Sequence, residues 1–565
     1  MLAGLWLGSC QKGQAQISKG NQILLNQGLQ LQGLVSYDDF FNLSTYSNAN
    51  YISVNFGFTS NPLLLGPAPG FLWSRWVGDQ TQMPPLNGEG PYTNQLFSLQ
   101  LTDEPNLNDD TIRSNSVNWF NSVQTNYPNT ILYLNSYGGQ VSDATLGDFI
   151  TRAKPDMLSF DTYPFLADYT TGVPNTWPYS TWLSEMRRYR QWGVSANLPV
   201  AVYMQAFHSV EDYDQRIYRV PSPSELRFNI FAALAFNAKV LIDFTYNSGA
   251  TALFNILPNG YSGDTYTNAL YAEKTDANRR ALNLGKSLVC LKPISDLHNP
   301  NDANPPPGPA SGNVNFPDGT TTSILILKGN PNTTTNTSEP IGFQDDPPSS
   351  QTKFSWWEFT KNDPYLTGWV VTNKGVNNGG SPGQVIISWF KPLDEKLDGT
   401  NYSNEIYFMV VNALTATNGT AADCLQEIML NFIAAVPSAV VMLDPETGLL
   451  HTNTMPVIPG SGGRRQLVLD LNGGDAALFK FSDGAPFVGH IPPAPARLGV
   501  TLQAGVPILN ISQLSPGARY QLQSTPALGS SNWTTLTALL LTNSSTQFRD
   551  TGSTNGGYYR VVGIP

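Results

Sequence analysis

The chain has 565 residues, of which 41% are hydrophobic and 13% are charged, and its formal net charge is −11. This length predicts two to four domains. The acidic balance argues against a nucleic-acid partner, which needs a basic surface, and no segment is long and apolar enough to predict a transmembrane helix. Low charge together with many Asn, Ser, Thr, Gly and Pro residues indicates an extracellular protein.

The N-terminal segment contains "LGSC" at 7–10. It resembles a bacterial lipobox, which would place a lipid anchor on Cys10. The alternative is an ordinary secretory signal that is cut nearer "GQAQIS". Both interpretations predict an exported bacterial protein that is secreted, periplasmic or held at the outer surface.

Strand-like segments alternate with helical or loop returns through the first half of the chain. The eight predicted strands are 29–36, 51–58, 71–78, 96–103, 131–137, 156–163, 199–207 and 239–246. Between the later strands lie amphipathic helices, one of which starts with a capping signal formed by Ser222 and Glu225. This pattern predicts a (β/α)8 TIM barrel with its active site at the carboxyl ends of the strands. The rival, an open doubly wound sheet, lacks a Gly-rich phosphate loop after any strand.

Beyond residue 292 a polar, Pro- and Gly-rich stretch gives way to short strands of period two, which predict an antiparallel β-sandwich and then a small all-β module. The predicted divisions are a signal remnant at 1–17, the barrel at 18–292, the sandwich at 293–487, a linker at 488–497 and the C-terminal β module at 498–565. Cys290 and Cys424 either pair in an oxidising compartment or are small buried thiols. The last module resembles those appended to exported bacterial proteins, through "YQLQS", Trp533 and "YYRV". That resemblance implies attachment to a cell surface or matrix.

Two adjacent acids, Asp103 and Glu104, end the fourth predicted strand and are followed by Pro105. Acids in this position are also common as helix N-caps, but Asp109 and Asp110 already supply that role for the next helix. Because the strand ends at the barrel mouth, the pair is predicted to belong to the active site.

Four motifs in order, "LTDEPN", "DMLSFDTYPF", "VAVYMQAF" and "SELRFNIFAALAFNAKVLIDFTYN", together resemble an exported barrel-type glycoside hydrolase family. The resemblance covers about 33–246 and implies hydrolysis of a carbohydrate with Glu104 as the general acid. It implies no cofactor. The four scattered histidines likewise give no metal site.

Three alternatives stay open for the partner of Glu104. Retaining barrel glycosidases place a nucleophilic Glu at the end of strand seven, where this chain has Gln205. An adjacent Asp-Glu pair also resembles the substrate-assisted hexosaminidases, in which Asp103 would polarise the 2-acetamido group. This option is ranked slightly first, and an inverting pair of Glu104 with Asp161 as the base is the third. The side chains that would complete an acetamide pocket are Tyr163, Tyr203 and Gln205.

Aromatic residues near the strand ends predict a lining for sugar rings. They are Tyr37, Trp73, Trp76, Tyr137, Tyr163 and Tyr246. Arg75, between two of the tryptophans, is predicted to bind an acidic sugar. The competing function is a catalytically inactive carbohydrate-binding or surface protein on a glycosidase-like barrel, which the missing strand-seven Glu favours.

Overall fold

The computed structural model describes most of the chain in segments. These are 17–35, 41–57, 62–66, 71–176, 179–212, 215–246, 266–294, 324–327, 365–394, 397, 405–482, 484–491, 493–527, 533–541, 543–550 and 557–564. Two predicted functional residues, Cys10 and Tyr37, lie outside them.

The first half of the described chain contains the strands of the barrel and three short additional strands. In chain order they are β1 (Gln30–Val35), β2 (Ser53–Phe56), β3 (Leu72–Val77), β4 (Leu96–Asp103), β5 (Ile131–Tyr137), β6 (Leu158–Asp161), β7 (Leu166–Asp168), β8 (Val200–Gln205), β9 (Ser209–Glu211), β10 (Arg216–Tyr218) and β11 (Ala238–Phe244). A closed parallel barrel forms in the order β1-β11-β8-β6-β5-β4-β3-β2. The predicted TIM barrel is therefore confirmed.

Helices lie before the first barrel strand, between barrel strands and after the last one. They are α1 (Lys19–Gln27), α2 (Leu43–Asn48), α3 (Asp110–Val123), α4 (Asp143–Ala153), α5 (Ser180–Ala196), α6 (Pro223–Ala235) and α7 (Tyr266–Leu288). Asp109 caps α3 by accepting the Thr111 and Ile112 N–H groups, and Ser222 with Glu225 forms the predicted capping box of α6. The acids that end β4 are thus not needed as a helix cap.

Side chains fill the barrel interior, so it is a packed core and not a channel. Leu24 of α1 packs in one apolar cluster with Tyr133, Tyr203 and Ile242. A polar layer lies among them, where Gln32 Nε2 donates to the hydroxyls of two serines on neighbouring strands. The other face of each strand packs against the helices, as period two requires.

The second half of the described chain is all β. Its strands are β12 (Leu291–Pro293), β13 (Ile324–Leu327), β14 (Leu366–Asn373), β15 (Val385–Pro392), β16 (Tyr407–Asn412), β17 (Gln426–Phe432), β18 (Ala439–Leu443), β19 (Leu450–Thr454), β20 (Arg465–Leu471), β21 (Ala476–Phe481), β22 (Arg497–Gln503), β23 (Val506–Ser512), β24 (Arg519–Thr525), β25 (Thr534–Leu540), β26 (Ser545–Arg549) and β27 (Tyr558–Ile564). Strands β12 to β21 form two antiparallel sheets around an aromatic core, and β22 to β27 form two smaller ones. This confirms the sandwich and the C-terminal module, while the predicted domain boundaries stay predictions.

Both all-β parts contact the barrel. Arg227 of α6 pairs with Asp475 of the sandwich at 2.8 Å, and Arg519 of the C-terminal module donates to the Lys286 carbonyl at 3.0 Å. Cys290 and Cys424 are buried free thiols, which matches the second of the two alternatives for them. Among the described helices, none is long and apolar enough to cross a membrane.

Candidate active site

A bulge shapes the end of β4. The register with β5 shifts between Gln100 and Asp103, so that Asp103 pairs with Asn135. Thr102 and Glu104 adopt left-handed φ values of 64° and 44°, and the Glu104 N–H donates to the Asn135 carbonyl at 3.0 Å. Non-glycine residues rarely adopt this conformation, and such strain concentrates at functional sites. The bulge turns both carboxyl groups toward the barrel mouth.

The side chains of Glu104 and Asp161 are neighbours at this mouth, close enough for Glu104 to act on the titration of Asp161. Burial, followed by the interaction with Glu104 and the charge of Asp103, raises the pKa of Asp161 well above its usual range. Asp161 is only 5% exposed, whereas Glu104 is exposed to solvent. The structure thus places a buried and an exposed carboxyl group side by side, and burial and like charge favour the protonated form of the buried one.

Asn135 links the third acid to this pair. Its Nδ2 donates to Asp103 Oδ1 and to Asp161 Oδ1, both at 3.2 Å, and Gln100 Nε2 also donates to Asp103 Oδ1 at 2.8 Å. Burial and the charge of Glu104 raise the pKa of Asp103 to about 6, against these hydrogen bonds. Among the described residues, both donors to the Asp103 carboxyl group contact Oδ1, and none contacts Oδ2.

A chain of hydrogen bonds supports the acids from below. Tyr203, 1% exposed, donates to Gln100 Oε1 at 2.5 Å and accepts from Trp76 Nε1 at 2.7 Å. The ring of Trp76 is stacked on that of Phe244, with centroids 6.4 Å apart. Tyr203 is therefore a support of the site rather than part of its surface, and Trp76 links this support to the aromatic wall.

Aromatic rings form a wall beside the acids. The ring of Tyr163 lies 4.9 Å from Phe207, 5.8 Å from Tyr218 and 5.9 Å from Phe244, between centroids. Burial, followed by the charges of the three acids, raises the pKa of Tyr163 well above its usual range, which places its hydroxyl near them. Sequence reasoning found Tyr163 and Trp76 but missed Phe207, Tyr218 and Phe244, although Phe207 ends one predicted strand and Phe244 lies near the end of another.

Strands β7, β10 and β9 form a small antiparallel sheet beside the mouth, which we call the flap. Arg216 of the flap donates to the hydroxyl of Tyr137 and, at 3.4 Å, to that of Tyr218. Tyr137 ends β5 in register with Asp161. The predicted residue Tyr137 is thus at the mouth, whereas Arg216 was missed because three-residue strands leave almost no periodic pattern.

Gln205 anchors the flap instead of facing the predicted acetamide pocket. Its Oε1 accepts the Phe165 N–H at 2.9 Å, and its Nε2 donates to the carbonyls of Phe165 at 3.0 Å and Arg219 at 2.9 Å. Both of its N–H groups are used by the backbone. The prediction that Gln205 contacts substrate is corrected accordingly.

Three other predicted contacts also face away from the mouth. Trp73 is fully buried outside the barrel and donates to the Tyr92 carbonyl at 2.9 Å. Arg75, 3% exposed, forms an ion pair with Glu89, so it does not bind an acidic sugar at the mouth. Successive side chains of a strand alternate between faces, so Trp73 and Arg75 share the face opposite Trp76.

Tyr246 is the third of these. Its side chain is 2% exposed and packs on Tyr46 and Tyr51, with ring centroids at 4.8 and 5.8 Å. This cluster lies between the barrel and the outer elements. Tyr246 therefore has a structural role, in contrast to the predicted sugar contact. Among the described residues, no group of three or more His, Cys, Asp or Glu side chains is arranged to hold a metal ion.

Comparisons with known proteins found only distant likenesses. No protein-family model matches the chain, and a search of curated proteins gave no match. A rhamnosidase from Novosphingobium sp. PP1Y is 11% identical with a TM-score of 0.34, over 80% of this chain and 50% of that one. A putative alpha-galactosidase from Bacteroides fragilis is 7% identical with a TM-score of 0.35, over 82% and 80%. A xylanase and alpha-amylase inhibitor protein from Scadoxus multiflorus is 14% identical with a TM-score of 0.25, over 44% and 96%.

The chain spans about half the length of the rhamnosidase. At these TM-scores the comparisons assign neither an activity nor a substrate. What the structure itself defines is the class: a (β/α)8 barrel with an acid cluster at the carboxyl ends of its strands.

Proposed function

We propose that this protein is a glycoside hydrolase in which Glu104 protonates the glycosidic oxygen of the substrate. The observation that carries the proposal is the meeting of Glu104 with Asp103 and Asp161 at the carboxyl ends of the barrel strands. A cluster of carboxyl groups whose like charges and burial favour a bound proton is the setting in which a general acid works. Glu104 is the solvent-exposed member of this cluster, so it is the group that reaches the substrate.

Asp161 is poorly suited to be the base of an inverting enzyme. Such a base has to be ionised to activate water, and burial raises the pKa of Asp161 well above its usual range. A direct enzyme nucleophile is also disfavoured, because the residue at the end of the seventh barrel strand is Gln205, whose amide holds the flap.

Asp103 is the best remaining partner, through a substrate-assisted mechanism. Its Oδ2 accepts no hydrogen bond from a described residue and would accept the N–H of a 2-acetamido group, which aims the acetamide carbonyl oxygen at the anomeric carbon. That oxygen forms a bond to the carbon as the glycosidic bond breaks, and the leaving oxygen takes the proton from Glu104. Water then attacks the same carbon, the bond from that carbon to the acetamide oxygen breaks, and the water gives a proton back to Glu104, so the configuration is retained. Asp103 would stabilise the positive charge of the cyclic intermediate.

The wall of Tyr163, Phe207 and Phe244 supports a sugar substrate for this site. Aromatic rings stack on the apolar faces of sugars, while the amides and carboxylates of the rim bind hydroxyl groups.

We also propose export, from the composition and the sequence around Cys10. Mass spectrometry of the protein isolated from an exporting bacterium tests this proposal, because it locates the N-terminus of the mature chain. An uncut chain would contradict export.

The test is a panel of paired aryl glycosides that differ only in a 2-acetamido or a 2-hydroxyl group. Wild type is expected to cleave the acetamido members. Glu104→Gln should lower kcat by about 10²- to 10⁴-fold and keep the affinity for the sugar. Asp110→Asn is the matched control, since Asp110 is an exposed acid at the start of α3 with 87% side-chain exposure. Cleavage of only the hydroxyl members would remove the role of Asp103.

The alternative function is carbohydrate binding without catalysis. The observation in its favour is that the strand-seven position of the usual nucleophile is occupied by a structural glutamine. In that case the panel shows no turnover by wild type, while Glu104→Gln and wild type bind the same glycan equally well.

A further inference from the structure

The flap turns a defined set of side chains toward the mouth. In the register of the flap, Arg216 lies opposite Glu211 of β9 and Asp168 of β7, and Tyr218 lies two residues further along the same face. Alternate residues point the other way, and Val210 on that outer face is 63% exposed. The inner face therefore carries a cation between two acids, followed by an aromatic ring.

This inner face stands beside the carboxyl pair. Arg216 donates to the hydroxyl of Tyr137, which ends β5 next to Asp161, and the ring of Tyr218 lies 5.8 Å from that of Tyr163. Asp103, in contrast, belongs to β4, on the other side of β5 in the barrel order. A substrate that places its acetamide on Asp103 and its glycosidic oxygen on Glu104 would extend its leaving group toward the flap.

We propose that Arg216, Tyr137 and Tyr218 form the subsite for the leaving-group sugar of an oligosaccharide, and that this sugar is neutral. The inference rests on the proposed function and deepens it by naming the substrate class. The phenol ring of Tyr218 offers a stacking surface, and the guanidinium with the Tyr137 hydroxyl offers directional hydrogen bonds to sugar hydroxyl groups.

The charges around Arg216 select for a neutral sugar. Glu211 and Asp168 stand directly opposite it on the two neighbouring strands, and the acid cluster lies beyond Tyr137. A carboxylate or sulfate on the sugar would stand close to these acids and would be repelled by them. Hydroxyl groups carry no such cost.

The flap is anchored at its base by hydrogen bonds and an ion pair, which suits a preformed subsite. Gln205 holds the backbone of Phe165 and Arg219 on either side of the flap, and the guanidinium of Arg219 is paired with the buried Glu225 at 2.5 Å. Because the flap is ordered in advance, less conformational entropy is lost when the sugar binds.

The experiment compares a trisaccharide of the cleaved sugar with its simple aryl glycoside, whose phenol makes none of these sugar contacts. Arg216→Gln should lower the ratio of kcat/KM for the trisaccharide to kcat/KM for the aryl glycoside at least about tenfold, because it removes hydrogen bonds from a charged donor to the sugar. Most of this change should lie in KM for the trisaccharide. Tyr137→Phe, which removes a single hydroxyl, should shift the ratio in the same direction by a smaller factor. Val210→Thr, on the outer face of the flap, should leave the ratio unchanged.

An unchanged ratio in Arg216→Gln, or an equal loss on both substrates, would overturn the subsite. Calorimetric titration of the trisaccharide into Glu104→Gln, with and without Arg216→Gln, keeps the proposal separate from catalysis. If wild type hydrolyses nothing, the proposed function fails, whereas weaker trisaccharide binding in the double variant still supports the subsite and equal binding rejects it. A trisaccharide ending in a uronic acid should bind no more tightly, and tighter binding would reject the neutral-sugar assignment.

Discussion

Two buried carboxylates of the barrel strands are neutralised in opposite ways. Asp243 on β11 is 2% exposed and forms an ion pair with Lys274 of α7 at 2.8 Å, with the hydroxyl of Tyr51 as a second partner. Asp161 on β6 is 5% exposed and has for partners the amide of Asn135 and the carboxyl group of Glu104. One acid is balanced by a cation, and the other by a proton.

This difference separates a structural acid from a functional one. A buried carboxylate that has only to hold two elements together is best paired with a cation. A cluster of like charges that keeps a proton is costly for stability, and such arrangements concentrate at active sites because the proton can be used. From this comparison we infer a role in the reaction for Asp161 and Glu104, and a structural role for Asp243 and Lys274.

The largest expected effect on stability comes from Lys274→Met. It leaves Asp243 buried without its cation, so we expect the free energy of unfolding to fall by about 3–5 kcal/mol. Asp161→Asn should leave that free energy unchanged or increase it, because Asn is a neutral side chain of the same shape at a buried position where a carboxylate is costly. Urea-induced unfolding of both variants measures the contrast. A loss in Asp161→Asn as large as that in Lys274→Met would make the acid cluster a structural network and end the distinction.

A smaller effect is expected from pH. The pKa of Asp103 is raised to about 6 in the folded protein. At pH values between the ordinary pKa of an aspartate and about 6, the folded state therefore binds more protons than the unfolded state. The stabilising contribution of Asp103 is therefore present at low pH and lost as the pH rises through about 6. The unfolding free energy of wild type, relative to Asp103→Asn, should decrease between pH 5 and pH 7. Parallel pH dependences for the two proteins would show that Asp103 does not titrate in this range.

Much of the fold and part of the site could be predicted from the sequence. The eight barrel strands, the cap at Asp109 and the meeting of Asp103, Glu104 and Asp161 follow from periodicity and from the rule that parallel strands end at one edge. The outward position of Trp73 and Arg75 also follows from alternation along one strand, and it was overlooked. Tyr246 lies two residues past a strand, where periodicity no longer fixes the direction of a side chain.

Other features depend on tertiary contacts that the local pattern does not contain. The bulge between Gln100 and Asp103 is a register shift against β5, so it becomes visible only once the two strands are paired. The role of Gln205 depends on the backbone of a flap whose strands have three residues each. The approach of Glu104 to Asp161 is likewise a tertiary relation between two strand ends, which spacing along the sequence does not reveal.

The most direct test of the central claim measures how hydrolysis by wild type and by Glu104→Gln depends on the leaving group. An acid is needed when a poor leaving group departs, and hardly at all for a dinitrophenolate, which leaves as a stable anion. We predict that Glu104→Gln loses about 10²- to 10⁴-fold in kcat/KM on an alkyl or sugar leaving group and far less on the dinitrophenyl glycoside. An equal loss on both substrates would contradict proton donation by Glu104.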